Sequence, residues 1–214
     1  MDELGKNQFP KECRGCYENC YKCTRKIRSA SVPVIRNLVA KKKLKLQAIA
    51  RMQRDIEKID VGAFYRGFHG DCAATYVAGE GSEENKRLIR VTRESFFEAL
   101  RYARLGFRVS DISHAVQEYV EKAGYSVVRD YVGHGVGSKM HEDPEVPNFG
   151  KPGHGPRLMP GMTIAVEPMV NAGGKAVYLA RNNWAVMTAD HSKAAHYELT
   201  VVVRKGHAEQ LSTF

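Results

Sequence analysis

The chain has 214 residues, of which 43% are hydrophobic and 27% charged, a composition typical of a folded domain of medium size. It has no uninterrupted apolar stretch long enough for a membrane-spanning helix, and its first residues lack the apolar core of a secretory signal, so we expect a cytoplasmic protein. The net charge of +9 lies in residues 1–58, which hold 15 basic and 6 acidic residues. A basic segment therefore precedes an electrically neutral domain.

Four cysteines lie close together in the basic segment, at Cys13, Cys16, Cys20 and Cys23. Two CxxC pairs can converge on one tetrahedral zinc ion, although the three residues between these pairs are fewer than in common zinc modules. A disulfide framework is disfavoured without a secretory signal. Two interpretations stay open: an additional zinc site, or reduced thiols without a function in a poorly ordered arm.

The remainder of the basic segment, residues 33–58, partly follows the period of an amphipathic helix. Its lysines at 41–43 and 45 would lie on the polar face, opposite apolar residues such as Leu38 and Ile49. A solvated helix face is the favoured interpretation of this charge, and a nucleic-acid surface is the alternative.

A different pattern begins at residue 59. Residues 59–64 and 73–77 are rich in strand-forming residues and are joined through a turn at 67–70, which predicts a hairpin. A helix follows, with Ser82 as its N-cap and two glutamates in its first turn, where the helix dipole favours anions. Gly106 ends the helical pattern.

A second helix is predicted between Ser110, as its cap, and Gly124, as its C-terminal stop. Beyond it the sequence consists of short apolar runs separated by glycine and proline, and these predict strands at residues 126–128, 162–166, 184–188 and 196–203. The order of strands and helices predicts an α/β protein of the α+β type, in which helices back an antiparallel sheet.

Several acidic residues stand within or beside apolar strand runs. Asp60, Glu167 and Glu198 are all of this kind, and a buried carboxylate needs a cation or a proton. Asp71 flanks the predicted hairpin, eleven residues after Asp60. Two divalent ions would balance the four charges, with His134 as a neutral ligand, and such an oxygen-rich set suits Mn, Fe, Co or Zn. Taken alone, each residue also has a structural interpretation. Asp60 could cap a turn, His134 could be a core histidine, and Glu198 could pair with an arginine.

Four segments resemble the signature blocks of type I methionine aminopeptidases of bacterial character, which are pita-bread metallopeptidases of the M24 family. They read IDVGAFYRGFHGD, GHGVGSKMHEDPEVPNFG, LMPGMTIAVEPMVNAG and NNWAVMTADHSKAAHYELTVVV. The resemblance extends from about residue 59 to about residue 203. It implies a pita-bread fold, in which a curved antiparallel sheet backed by helices has pseudo-twofold symmetry.

The resemblance also implies five metal ligands and two divalent ions, drawn from Co, Mn, Fe, Zn or Ni. Asp60 would chelate one ion, Asp71 and Glu198 would bridge both, and His134 and Glu167 would hold the second. The two ions would activate a water molecule for attack on a peptide carbonyl.

Three further roles follow from the resemblance. Glu167 would act as general base and then general acid, and His141 would hydrogen-bond the substrate carbonyl rather than a metal. Trp184 and Met140 would lie at the pocket for the methionine side chain.

The resemblance does not extend into the first 58 residues. Relatives carry strands and a substrate-contacting histidine there, whereas this chain has no histidine before His69. We therefore divide the chain into a basic, cysteine-rich segment, 1–58, and a catalytic domain, 59–214, in which the first half of the pseudo-twofold repeat is incomplete. Two interpretations of residues 1–58 stay open: a real replacement domain, or a truncated or frame-disrupted remnant.

The leading hypothesis is a monomeric enzyme that removes the N-terminal methionine from nascent proteins and prefers a small second residue. The alternative is a non-catalytic pita-bread module whose basic arm binds the ribosome or RNA by neutralising phosphates. A proline-specific peptidase of the same superfamily is a weaker third hypothesis. None of the three involves a membrane.

Overall fold

The computed structural model describes residues 56–213. Within this range it has two helices, α1 (Glu83–Leu100) and α2 (Val109–Lys122), and neither is long and apolar enough to cross a membrane. The strands in chain order are β1 (Ile56–Tyr65), β2 (Phe68–Val77), β3 (Ser126–Val127), β4 (Gly133–Gly135), β5 (Glu142–Val146), β6 (Thr163–Val166), β7 (Met169–Asn171), β8 (Val177–Leu179), β9 (Val186–Thr188), β10 (Ala194–Val203) and β11 (Ala208–Gln210).

The main sheet has the strand order β1-β2-β10-β6-β4-β5, and all of these neighbours are antiparallel. Strands β11 and β7 also pair with β10, β3 pairs with β7, and β8 and β9 form a separate hairpin. Strand β10 is therefore the centre of the sheet, with β2 on one side and β6 on the other.

The first hairpin is longer than the sequence predicts. Its turn lies at Arg66 and Gly67, whose φ angles of 51° and 90° give the twist that two-residue hairpin turns require. Strand β1 begins at Ile56, so residues 56–58 are strand rather than the end of the predicted helix 33–58. The boundary predicted after residue 58 thus falls inside β1. The rest of that helix and the four clustered cysteines lie outside the described residues.

Both predicted helices are present, but the second begins differently. Ser82 caps α1 as expected, because its hydroxyl accepts a hydrogen bond from the Asn85 N–H at 3.1 Å. Helix α2 begins at Val109, and its cap residue is Arg108 rather than Ser110. The Asp111 carboxylate accepts the Arg108 N–H at 2.7 Å, and this contact from the first turn replaces the predicted serine cap.

The core lies between the helices and one face of the sheet. Tyr197, Leu199 and Val201 of β10 contribute to it, and the ring of Tyr197 stands 5.2 Å from that of Phe96 in α1. Because side chains alternate along a strand, the intervening residues point to the other face. That face therefore carries the polar residues His196, Glu198 and Thr200.

Candidate metal centre

Three of the predicted ligands share one face of the sheet through strand register. Asp60 is opposite Ala73, and Asp71 is opposite Gly62, in the β1–β2 ladder. Glu198 is opposite Ala73 in the β2–β10 ladder. Directly paired residues point to the same side of an antiparallel sheet, so Asp60, Asp71 and Glu198 converge from three adjacent strands.

Glycines position the fourth ligand, His134, on the three-residue strand β4. A Cβ atom on Gly133 would collide with the Ala165 carbonyl oxygen, and one on Gly135 would collide with the Asp143 carbonyl oxygen. The neighbouring backbones approach β4 too closely for any side chain other than hydrogen at these positions. A strand of three residues shows no period, so the sequence does not predict it.

Gly135→Ala is expected to destabilise the protein by about 3 kcal/mol or more, because the added methyl group meets backbone atoms that cannot rotate away. Gly206→Ala is the matched control, since a Cβ there meets nothing within 4 Å. Chemical denaturation of both variants measures the effect. Equal stability of the two variants would contradict the close approach of β4 and β5.

The side chain of His134 is oriented for ligation. Its Nδ1 lies 2.9 Å from the Gly135 carbonyl oxygen, which can only accept, so a neutral ring carries its proton on Nδ1 and leaves Nε2 with a lone pair. Nε2 lies 3.5 Å from Glu167 Oε1 and 3.9 Å from Asp71 Oδ2. The fifth predicted ligand, Glu167, directly follows β6, and its carbonyl accepts a hydrogen bond from Asn148 at 2.9 Å.

A sixth residue, His196, belongs to the same cluster and was not predicted as a site residue. Its Nε2 lies 3.5 Å from Glu167 Oε2 and 3.8 Å from Glu198 Oε2, and its Nδ1 lies 4.0 Å from Asp60 Oδ2. The signal that could have found it is the strand period of two, since His196 and Glu198 are next neighbours on one face.

The cluster has the electrostatics of a cation site. Burial, with the charges of Asp71 and Asp60 adding to it, raises the pKa of Glu167 to about 8. Burial also raises the pKa of Glu198 well above its ordinary value. Burial lowers the pKa of His134 and brings that of His196 to about 3. Neutral imidazoles cannot offset the carboxylates, and among residues 56–213 the positive charge of Lys58 lowers the pKa of Asp60, Glu167 and Glu198 by less than burial raises it.

The donor set fits divalent cations. Two triads of ligand atoms, each within 4.8 Å of one another, share Glu198: one contains Asp60 and His196, and the other contains Asp71 and His134. Glu198 Oε1 and both ring nitrogens of His196 are buried and have no hydrogen-bond partner among residues 56–213, a costly arrangement unless another group binds them. Carboxylate and imidazole donors together suit first-row divalent metals.

The three predicted substrate-side residues differ in their placement. The ring of His141 lies 4.3 Å from that of His134, beside the ligand cluster. The methyl group of Met140 packs against Gly62, near Asp71. Trp184 is 87% exposed in the turn between β8 and β9, so its place at a pocket mouth stays a prediction.

An open cleft of about 710 Å³ adjoins the cluster. His134 and His141 both line it, together with the loop residues that follow β4. A peptide in this cleft would reach the ligand cluster from the side of His141.

The sequence profile described as metallopeptidase family M24 matches residues 16–205. This chain belongs to metallopeptidase family M24. The match begins within residues 1–58, where the sequence analysis found no resemblance. Members of a metallopeptidase family use divalent metal, and the M24 domain of this chain has the donor set that such metal requires.

The relatives in family M24 include several methionine aminopeptidases. That of Clostridium acetobutylicum is 54% identical over 158 residues, 74% of this chain and 63% of the relative. Methionine aminopeptidase 1 of Bacillus subtilis is 52% identical over 149 residues, 70% of this chain and 60% of the relative. The chain thus spans about three fifths of the length of these curated relatives.

Solved structures give the same fold. The crystal structure of methionine aminopeptidase from Thermotoga maritima matches with a TM-score of 0.74 at 47% identity, over 76% of this chain and 65% of that one. Prolidase from Pyrococcus furiosus matches with a TM-score of 0.59 at 23% identity, over 76% and 42%, which shows a shared fold alone. The predicted fold class, a pita-bread α/β domain with helices backing an antiparallel sheet, is confirmed.

The metal-free M24 domain is expected to lose stability as the pH rises from about 6.5 to about 8. Glu167 has a pKa of about 8 in the folded chain against an ordinary value of 4.5, so the folded state binds its proton more tightly and loses that advantage as the pH increases. The lowered pKa values of the histidines act in the opposite direction, but only below their ordinary value of 6.5.

Thermal denaturation with a chelator across this pH window measures the effect. Glu167→Gln should make the profile shallower, because an amide does not titrate, and an excess of divalent cation should do the same. A melting temperature that stays constant or rises with pH in the wild-type chain would contradict the raised pKa.

Proposed function

We propose that this chain is a methionine aminopeptidase, which hydrolyses the peptide bond after an N-terminal methionine of a nascent protein in the cytoplasm. The observation that carries the proposal is the convergence of four carboxylates and His134 on one face of an M24 domain. Relatives that are 52–54% identical over the matched residues are named methionine aminopeptidases, which supports the choice of substrate.

In this proposal Asp60, Asp71, His134, Glu167 and Glu198 hold two divalent ions. Bound there, the ions would lower the pKa of water and polarise the substrate carbonyl. Co, Mn, Fe, Zn and Ni are all compatible with carboxylate and imidazole donors, and the physiological metal is chosen by availability as much as by affinity.

Glu167 is the residue proposed to move the proton. Its pKa of about 8 without metal would fall towards neutrality beside a cation, which is the range in which a general base works best at physiological pH. It would take a proton from the attacking water and return it to the leaving amine. His141 would donate a hydrogen bond to the carbonyl oxygen as negative charge develops there.

Hydrolysis of a Met-Ala-Ser peptide, with Co or Mn added, tests the proposal. Parallel reactions contain a Met-Pro peptide, an Xaa-Pro peptide and an N-acetylated Met-Ala-Ser peptide. We expect release of free methionine from Met-Ala-Ser, none from its N-acetylated form, and loss of the release on chelation. Preference for the Xaa-Pro peptide, or no hydrolysis with either Co or Mn, would contradict the proposed activity.

The basic segment, residues 1–58, is proposed to bind a polyanion such as ribosomal RNA and to leave the enzyme monomeric. Its net charge of +9 supports this, because lysine and arginine neutralise phosphates and release counterions. RNA affinity should fall steeply as salt rises, and should be lost on deletion of residues 1–55. Salt-independent binding would contradict the proposal.

The same deletion tests whether this segment contributes to the active site. We expect turnover to change little, since no histidine that could contact the substrate lies in this segment, even though the family profile begins at residue 16. Loss of strong peptidase activity in a deletion variant that stays folded would make residues 1–55 a working part of the site. The zinc site proposed at the four clustered cysteines is tested by comparing the zinc content of the full chain with that of the deletion variant, which lacks these cysteines.

A further inference from the structure

His196 is the one member of the ligand cluster to which the sequence analysis assigned no role. It lies on β10, two residues before Glu198, and is 3% exposed. Neither of its ring nitrogens has a hydrogen-bond partner within the part of the chain that the structure describes. A buried imidazole without a partner is costly, which indicates that another group binds it.

Two hydrogen bonds with a threonine side chain hold the backbone of His196 in place. The Thr75 hydroxyl accepts a hydrogen bond from the His196 N–H at 2.8 Å and donates one to its carbonyl at 2.9 Å. Thr200 contacts the backbone of Asp71 in the same way, at 2.7 and 2.9 Å. The two threonines hold the backbone of the segment that carries His196 and Glu198 against β2, so the imidazole starts from a fixed point beside the carboxylates.

The distances around the ring suit a shared cation better than hydrogen bonds. The separations of 3.5, 3.8 and 4.0 Å from Glu167, Glu198 and Asp60 are too long for direct hydrogen bonds. Donors that lie about 2.0–2.2 Å from one metal ion are separated by roughly 3–4 Å from each other. The same range of separations is found around His134, which is a predicted ligand.

We propose that His196 is an additional nitrogen ligand of the metal centre, on the side of Asp60. The inference rests on the metal centre in the proposed function and extends it. Besides Glu198, each triad then contains one further carboxylate and one imidazole: Asp71 with His134, and Asp60 with His196. An imidazole on the Asp60 side favours Co, Ni or Zn over Mn there, because nitrogen donors bind Mn comparatively weakly.

The test uses the full chain loaded with cobalt and reads the ligands directly. X-ray absorption of the wild-type chain with two equivalents of Co should show about one imidazole per cobalt. The count should fall by about half in His196→Gln and equally in His134→Gln, while the exposed control His207→Gln keeps the wild-type value. Cobalt titration should show at least about tenfold weaker binding of one ion in His196→Gln, with a smaller preference for Co over Mn.

The outcomes separate this inference from the proposed function. About half an imidazole per cobalt in the wild-type chain would overturn the role of His196 and leave the metal centre intact. Failure of the wild-type chain to bind Co would overturn both. Should His196→Gln not fold, His134→Gln decides the matter, since the imidazole that remains there must come from His196.

Discussion

Replacing Glu167 by glutamine is expected to lower the turnover of Met-Ala-Ser by ~10²–10⁴-fold, the usual contribution of a general acid–base residue. Glutamine keeps the shape of the side chain and one ligand oxygen but cannot accept and return a proton. Turnover is measured at saturating metal, so that weaker metal binding does not contribute to the loss.

Glu118→Gln on the exposed surface of α2 is the matched control, because its side chain is 72% exposed. This control should retain wild-type turnover. Unchanged turnover in Glu167→Gln at saturating metal would show that the proton passes through another group. A pH–rate profile adds a second readout, since removal of the base should abolish the ionisation on its acidic limb.

His141→Ala is expected to lower turnover by ~10²–10³-fold, the usual cost of losing one donor to a developing oxyanion. The ring of His141 lies 4.3 Å from that of His134, but His141 belongs to neither triad of ligand atoms. Bound metal should therefore stay unchanged while turnover falls.

The exposed His154→Ala variant controls for the general effect of removing an imidazole. Metal content, measured on the same samples, distinguishes a substrate contact from a ligand. If His141→Ala loses bound metal, the residue acts on the metal centre and its assignment to the substrate carbonyl is wrong.

Local sequence signals were sufficient for the elements whose stability is local. Helix α1 begins after the Ser82 cap because the signal, a hydroxyl followed by acidic residues, involves only neighbouring positions. The convergence of Asp60, Asp71, His134, Glu167 and Glu198 was also predicted, although not from local signals. It came from resemblance to a family in which these residues recur in order.

The short strands are visible only in the tertiary structure and cannot be predicted from the sequence. Strands β4 and β7 have three residues each, too few to show a period, and they exist because longer neighbours supply their hydrogen bonds. The cap of α2 was mispredicted for a related reason. The hydroxyl of Ser110, the predicted cap, instead donates a hydrogen bond to the carbonyl of the distant residue His154 at 2.7 Å. The Asp111 carboxylate accepts the Arg108 N–H at the start of the helix.

By itself, the sequence determined the fold class and singled out Asp60, Glu167 and Glu198 as carboxylates that need a cation or a proton, since an apolar strand run around a carboxylate is visible in one dimension. Only the tertiary structure decided that His196 faces the same point as Glu167 and Asp60. Those two residues are far from His196 in the chain and meet it through the register of β1, β2, β10 and β6. Strand register is set by packing across the whole sheet, and no local pattern around residue 196 contains it.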